Sequence, residues 1–142
     1  MYIKKIQIKD IRAISQFQMT FPKPAGWHVL IGDNGAGKST MVRAIALGLL
    51  GVENAKALLI FEEFSNWLPP QSESGSISLE ILRHNRYDMP KHKEERAVTS
   101  QVSINRMNGN GPVNIKGKVI PKNALWGNSG GHGWYMSAYG PF

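Results

Sequence analysis

Residues 32–39 read Gly32-Asp33-Asn34-Gly35-Ala36-Gly37-Lys38-Ser39. They satisfy G-x-x-x-x-G-K-[ST] at every required position. Glycines at these spacings let the backbone curl until successive N–H groups point at one anion. The lysine adds a point charge for the β- and γ-phosphates, and the hydroxyl after it is a ligand for Mg²⁺. The motif needs a strand before it and a helix after it. Trp27-His28-Val29-Leu30-Ile31 is an apolar run that reads as a buried strand, and Thr40 to Leu50 reads as a helix. Such a helix aims the positive end of its dipole at the phosphates. This strand–loop–helix frame predicts an α/β nucleotide-binding fold.

Composition sets the outer bounds. The chain has 142 residues and an apolar fraction of 42%, enough for one domain with a core and too apolar for a disordered tail. Cysteine is absent, which excludes disulfides and thiolate metal sites. No run reaches membrane-spanning length, and the opening Met1-Tyr2-Ile3-Lys4-Lys5 has no signal-peptide core. A cytoplasmic protein with no membrane partner is the expectation. The net charge is +7, and no Asp or Glu follows Glu95, whereas Arg106, Lys116, Lys118 and Lys122 do. Such a surface attracts nucleic acid without sequence preference. A solvated face beside a polyphosphate site accounts for the same charge.

The flanking segments have clear periods. Ile3, Ile6 and Ile8 belong to a first strand, and Phe17, Met19 and Phe21 alternate with polar residues in a second. Pro22-Lys23-Pro24-Ala25-Gly26 breaks the chain. The helix after the loop is apolar all round apart from Arg43, so it should sit between the sheet and another layer, part of which can lie outside this chain. Gly51 reads as its cap. Ile60, Phe64, Trp67 and Leu68 are spaced for a second, shorter helix that Pro69-Pro70 stops. Ile77, Leu79 and Ile81 alternate, and residues 101–107 and 113–119 flank Asn108-Gly109-Asn110-Gly111, a hairpin turn. Arg83 to Arg96 reads as a polar, mobile loop, and Trp134–Ala138 as a last strand.

Two further stretches imitate motifs. Leu58-Leu59-Ile60-Phe61-Glu62-Glu63 looks like the acidic strand of a P-loop ATPase, but the spacing through Trp67 is helical. Asn128-Ser129-Gly130-Gly131-His132 looks like an ABC-type signature without its leading Leu and its Gln. Both are better read as a pair of exposed carboxylates and a loop. His28, His84, His92 and His132 have no metal-ligand spacing.

Taken together, Ile3-Lys4-Lys5-Ile6-Gln7-Ile8-Lys9-Asp10-Ile11-Arg12, Phe21, Leu30 through Thr40 and Arg43-Ala44-Ile45 resemble the N-terminal segment of ABC-type ATPase heads. The branch they resemble holds the SMC proteins, RecF, the coiled-coil double-strand-break-repair ATPases and the OLD-type defence nucleases. Tyr135 to Phe142 is similar to a stretch of defence-type members. The resemblance implies a P-loop NTPase fold, an ABC-type head N-terminal lobe with an antiparallel β subdomain. Residues 1–51 would hold the strands, loop and helix, and residues 75–142 the antiparallel region. It implies ATP and Mg²⁺ as ligands. Gly32, Gly35, Ala36, Gly37 and Lys38 would cradle the phosphates, Ser39 would ligate Mg²⁺, and Thr40 would reach the α-phosphate. Asn34 would sit near the γ-phosphate and the attacking water, with Lys38 as its catalytic companion, and Arg12 beside the nucleotide.

The resemblance also implies a head-to-head homodimer in the complete protein, DNA and a nuclease as partners, and a role in DNA repair, genome maintenance or phage defence. Hydrolysis needs an acid for the Mg²⁺ water shell and a base for the attacking water. With no carboxylate after Glu95, the chain reads as a lobe that binds ATP but is catalytically incomplete alone. An ABC transporter cassette fragment and a small P-loop kinase are the alternatives. Kinases of that kind usually carry the phosphate loop on their first strand, and cassettes lack the Ile-Lys-x-x-Arg opening.

Overall fold

The computed structural model describes residues 1–60, 63–83, 97–107, 112–122 and 124–125. β1 (Tyr2–Ile11) and β2 (Ile14–Thr20) form a hairpin turned by Arg12 and Ala13. β3 (Ser74–Leu82), β4 (Ala97–Arg106) and β5 (Val113–Ile120) complete an antiparallel five-stranded sheet in the order β2-β1-β3-β4-β5. Period-2 alternation gives the sheet two unlike faces. Ile6, Ile8, Ile77, Leu79, Val102 and Ile104 are buried on one face, where Ile6 pairs with Leu79 and Ile77 with Val102. Burying each such side chain stabilises the fold by roughly 1.5–3 kcal/mol before entropy is counted.

The other face is polar. Gln18, Gln7, Ser78, Gln101 and Lys118 line up across all five strands, and Gln16, Lys9, Ser76, Ser103 and Lys116 form the adjacent row. Lys4 Nζ reaches Glu80 Oε1 at 2.9 Å on the same side of the sheet.

Helix α1 (Lys38–Ala57) lies across the apolar face, against β1, β3, β4 and β5. Its closest approach is at Gly48, where a Cβ would lie 2.6 Å from Leu79 Cδ1. The Gly48 carbonyl also accepts a 2.6 Å hydrogen bond from the buried Ser100 hydroxyl. That bond satisfies the one polar side chain among the buried alternating positions of β4. Gly51 leaves helical geometry at φ 72 and ψ 169, as a terminating glycine should, but the chain then resumes helix to Ala57. The first helical segment therefore starts two residues earlier than the predicted span and breaks at the predicted Gly51, and a second segment follows across the kink.

Two expectations of element type need correction. Residues 27–31 do not form a strand, and Trp27 is 100%, Val29 79% and Ile31 92% exposed. A strand exists only by pairing, and no described strand runs beside this segment. One side of α1 is open among the described residues: Val42 is exposed, and an open cavity of about 430 Å³ runs between Val42, Ile45 and Leu49 of α1 and Tyr2, Phe21 and Leu30. The second helix is two 3₁₀ turns, Leu58–Ile60 and Phe64–Trp67. The prolines at 69 and 70 leave no room for a longer run, and Leu68 is already extended.

Arg83, expected to open a polar loop, is buried, and its Nη2 donates to the Ala124 carbonyl. Residues 84–96, Glu62, the Asn108–Gly111 turn, the Ser129-Gly130-Gly131 stretch, the Trp134–Ala138 segment and Tyr135 to Phe142 lie outside the described residues.

Candidate functional site

The site is made of backbone before it is made of side chains. Gly37 precedes α1 in the left-handed region, φ 85 and ψ 9, and no side chain caps the helix start, whose first turn holds no acid. The first N–H groups of a helix have no partner within it, so a start of this kind is suited to an anion. Gly35 takes φ 84, a conformation that costs a residue with a Cβ roughly 1–2 kcal/mol. The Ala36 N–H donates to the Asp33 carbonyl at 3.2 Å, which tightens the turn. Lys38 Nζ donates to the Gly32 and Asp33 carbonyls, each at 2.6 Å. The ammonium is folded over the loop, and rotation of its flexible stem redirects its donors to an incoming phosphate.

The other predicted residues fall into two groups. Gly32, Asp33, Asn34, Gly35, Ala36 and Ser39 are exposed, and Lys38 is half-buried. Thr40 is buried, one residue into the helix beyond Ser39. Arg12 stands apart in sequence, but β2, which follows its turn, abuts the loop: a Cβ on Gly37 would lie 3.2 Å from Ile14 Cγ1. Arg12 has φ 50, as does Asp10. The Arg12 guanidinium lies over the Trp67 ring, 5.2 Å from its centroid. The Arg12 N–H donates to the Trp67 carbonyl at 2.7 Å. Sequence reasoning placed Trp67 in a helix core and missed its pairing with Arg12. Its only sequence signal is an aromatic just ahead of Pro69-Pro70.

The donor set suits a magnesium nucleotide. Among the described residues no three His, Cys, Asp or Glu side chains gather to hold a metal ion alone. Ser39 offers one hydroxyl, so a hard cation here depends on phosphate oxygens and water for most of its shell. Glu63 is exposed, and its Oε2 accepts from Asn66 Nδ2 at 2.9 Å. Among the described residues no helix is long and apolar enough to cross a membrane.

Comparison with known proteins bears on the family and the fold. A family described as an AAA domain matches residues 5–128. The Septu protein PtuA of Bacillus mycoides is 31% identical over 84 residues, 56% of this chain and 12% of its own length. The chromosome partition protein Smc of Aquifex aeolicus is 28% identical over 145 aligned residues, 97% of this chain and 12% of its own. The chain thus spans about an eighth of these curated relatives.

Two solved structures share the fold. One comes from work on the ATP-driven dimerization and DNA-stimulated activation of SMC ATPases. It superposes with a TM-score of 0.55 at 18% identity, over 82% of this chain and 69% of that one. The other, an Smc head bound to the C-terminal winged-helix domain of ScpA, gives 0.56 at 18% identity, over 86% and 36%. With an open helix start, a glycine loop and an antiparallel sheet beneath, this chain belongs to the AAA domain family and has the fold of an SMC-type N-terminal ATPase head lobe.

Proposed function

We propose that this lobe binds ATP with Mg²⁺ on the loop at residues 32–39 and serves a head that acts on DNA in genome maintenance or phage defence. The observation that carries the reading is the uncapped start of α1, with Gly37 left-handed and Lys38 folded over the Gly32 and Asp33 carbonyls. Gly32, Gly35, Ala36 and Gly37 enclose the phosphates, and Lys38 neutralises them. Ser39 and Thr40 take the metal and α-phosphate side, Asn34 faces the γ-phosphate, and Arg12 approaches from the hairpin turn. Bound Mg²⁺ supplies charge neutralisation for the phosphate chain. The acid and base for hydrolysis come from outside this lobe, because the described residues place no carboxylate in the loop except Asp33, which is exposed. The full head would pair with a second head through nucleotide. The Septu and Smc likenesses support the defence and chromosome readings in turn.

Titration with a fluorescent ATP analogue and Mg²⁺ tests the reading. Saturable binding that Lys38→Ala weakens about 100-fold is the expected result, and binding indifferent to Lys38 overturns it. Robust ATP turnover by this chain alone, lost in Lys38→Ala, would overturn the assignment of hydrolytic groups elsewhere.

The polar sheet face is where this lobe would meet DNA. Lys5, Lys9, Lys116 and Lys118 stand on it, and the single carboxylate in its strand rows, Glu80, is engaged by Lys4. Each lysine withdrawn from a DNA phosphate should reduce the salt dependence of log K by about 0.9. Lys116→Glu with Lys118→Glu should weaken DNA binding and leave nucleotide affinity unchanged. DNA affinity unaffected by the pair removes this face from the reading.

A further inference from the structure

We propose that Trp67 is a positioning residue for the nucleotide site, the platform that sets the Arg12 guanidinium beside the phosphate loop. The inference rests on the nucleotide reading above and adds a residue to it. Three observations carry it.

The first is that Arg12 is held at both ends by one residue. Its guanidinium carbon lies over the Trp67 ring, 5.2 Å from the centroid, and its backbone N–H donates to the Trp67 carbonyl at 2.7 Å. A turn residue at φ 50 is an uncommon conformation for a side chain of this size, and it persists where surroundings enforce it.

The second is that the platform is itself immobilised. Trp67 is 4% exposed and packs on Phe64 with ring centroids 5.2 Å apart. Arg106, at the end of β4, ties down the segment that follows. Its Nη2 donates to the Leu68 and Pro69 carbonyls at 3.2 and 3.4 Å, and its Nε to the Ser72 carbonyl at 3.1 Å. Its own N–H donates to the Glu73 carbonyl at 2.8 Å. A surface tryptophan would be a loose support, whereas this one is fixed to the sheet.

The third is chemical. A guanidinium carries five N–H donors in a planar fork, so an arginine can lie over an indole face and still address a phosphate oxygen. The strand that follows the Arg12 turn meets the loop, where Ile14 lies against Gly37. Trp67 therefore removes rotamer freedom from Arg12 before nucleotide arrives, which is how preorganisation raises affinity.

A double-mutant cycle on binding of mant-ATP with Mg²⁺ tests this. Arg12→Ala and Trp67→Leu are each expected to weaken binding about tenfold, and the double variant no more than either alone, because both remove one interaction. Trp67→Phe, which keeps an aromatic face, should stay within about threefold of wild type. If either single variant binds as wild type, or if the two losses multiply, the inference is overturned. Should Trp67→Leu fail to fold, ¹⁹F spectra of 5-fluorotryptophan-labelled protein decide, with the Trp67 resonance assigned through Trp67→Phe. Saturating nucleotide should shift that resonance in wild type and not in Arg12→Ala; equal shifts in both overturn it. Failure of the wild-type protein to bind mant-ATP at all would instead sink the nucleotide reading.

Discussion

Met41, Ala44, Leu47 and Gly48 of α1 are buried against the sheet, while residues 32–36, immediately ahead of the same helix, are exposed. The buried side is specified by volume. At Gly48 a Cβ would lie 2.6 Å from Leu79 Cδ1, and the Ser100 hydroxyl closes the one polar gap. The exposed loop is specified by backbone angle. Gly35 and Gly37 are left-handed at φ 84 and 85, and a Cβ on Gly35 would meet nothing within 4 Å. Stability and ligand binding are thus separable within one element. A change on the sheet side should move the unfolding curve, and a change in the loop should move the binding curve.

Leu79→Ala should give the largest effect. Leu79 is fully buried under α1, and truncations of this kind cost about 2–5 kcal/mol. Urea unfolding followed by far-ultraviolet circular dichroism measures it, and the folded fraction should still bind nucleotide normally. A loss below about 1 kcal/mol would mean that α1 is not seated on β3 as described.

Lys38→Ala is the mirror case. Its ammonium bonds to loop carbonyls, not to the core. Charge-assisted hydrogen bonds are worth about 1.5–3 kcal/mol each, so nucleotide affinity should fall about 100-fold. The unfolding midpoint should stay within about 0.5 kcal/mol of wild type. A large loss of stability here would show that the loop and the core are coupled.

A pair of glycine variants sharpens the contrast. Gly48→Ala crowds Leu79, but alanine favours helix by about 1 kcal/mol over glycine. The net cost should be about 1 kcal/mol or less, with nucleotide affinity unchanged. Gly37→Ala meets Ile14 and forces a Cβ into φ 85. It should cost about 1–2 kcal/mol and weaken nucleotide binding as well, because the strain is at the site itself. If the two variants behave alike, the separation of roles along α1 is wrong.

The parts of this molecule that read well from sequence are those whose signal is local. The alternation at Ile77, Leu79 and Ile81 puts three buried residues on one face of β3. The glycine–lysine spacing marks a tightly turned loop, and Gly35 and Gly37 in it are left-handed. What escaped the sequence depends on partners far along the chain. Trp67 meets Arg12 across 55 positions, and no spacing rule links them. Arg83 looks like the first residue of a charged loop, yet it is buried beneath residue 124. The run at residues 27–31 is apolar enough for a buried strand, but burial also requires a neighbour, and composition does not report whether one is there.

That last run gives the smallest expected effect and the most direct check on the exposed half of the comparison. Trp27 is 100% exposed, so Trp27→Gln should change stability by less than about 0.5 kcal/mol. Were Trp27 packed in a sheet, its truncation would cost about 3–5 kcal/mol. Guanidinium unfolding of the two proteins at matched concentration distinguishes these outcomes. Repeating it over a hundredfold range of protein concentration adds a second test. An exposed Trp, Val and Ile in one short segment is a patch that soluble surfaces seldom leave open. If the wild-type midpoint rises with concentration and that of Trp27→Gln does not, the segment is covered by association. A flat midpoint for both would mean that the run stays exposed beside the loop it precedes.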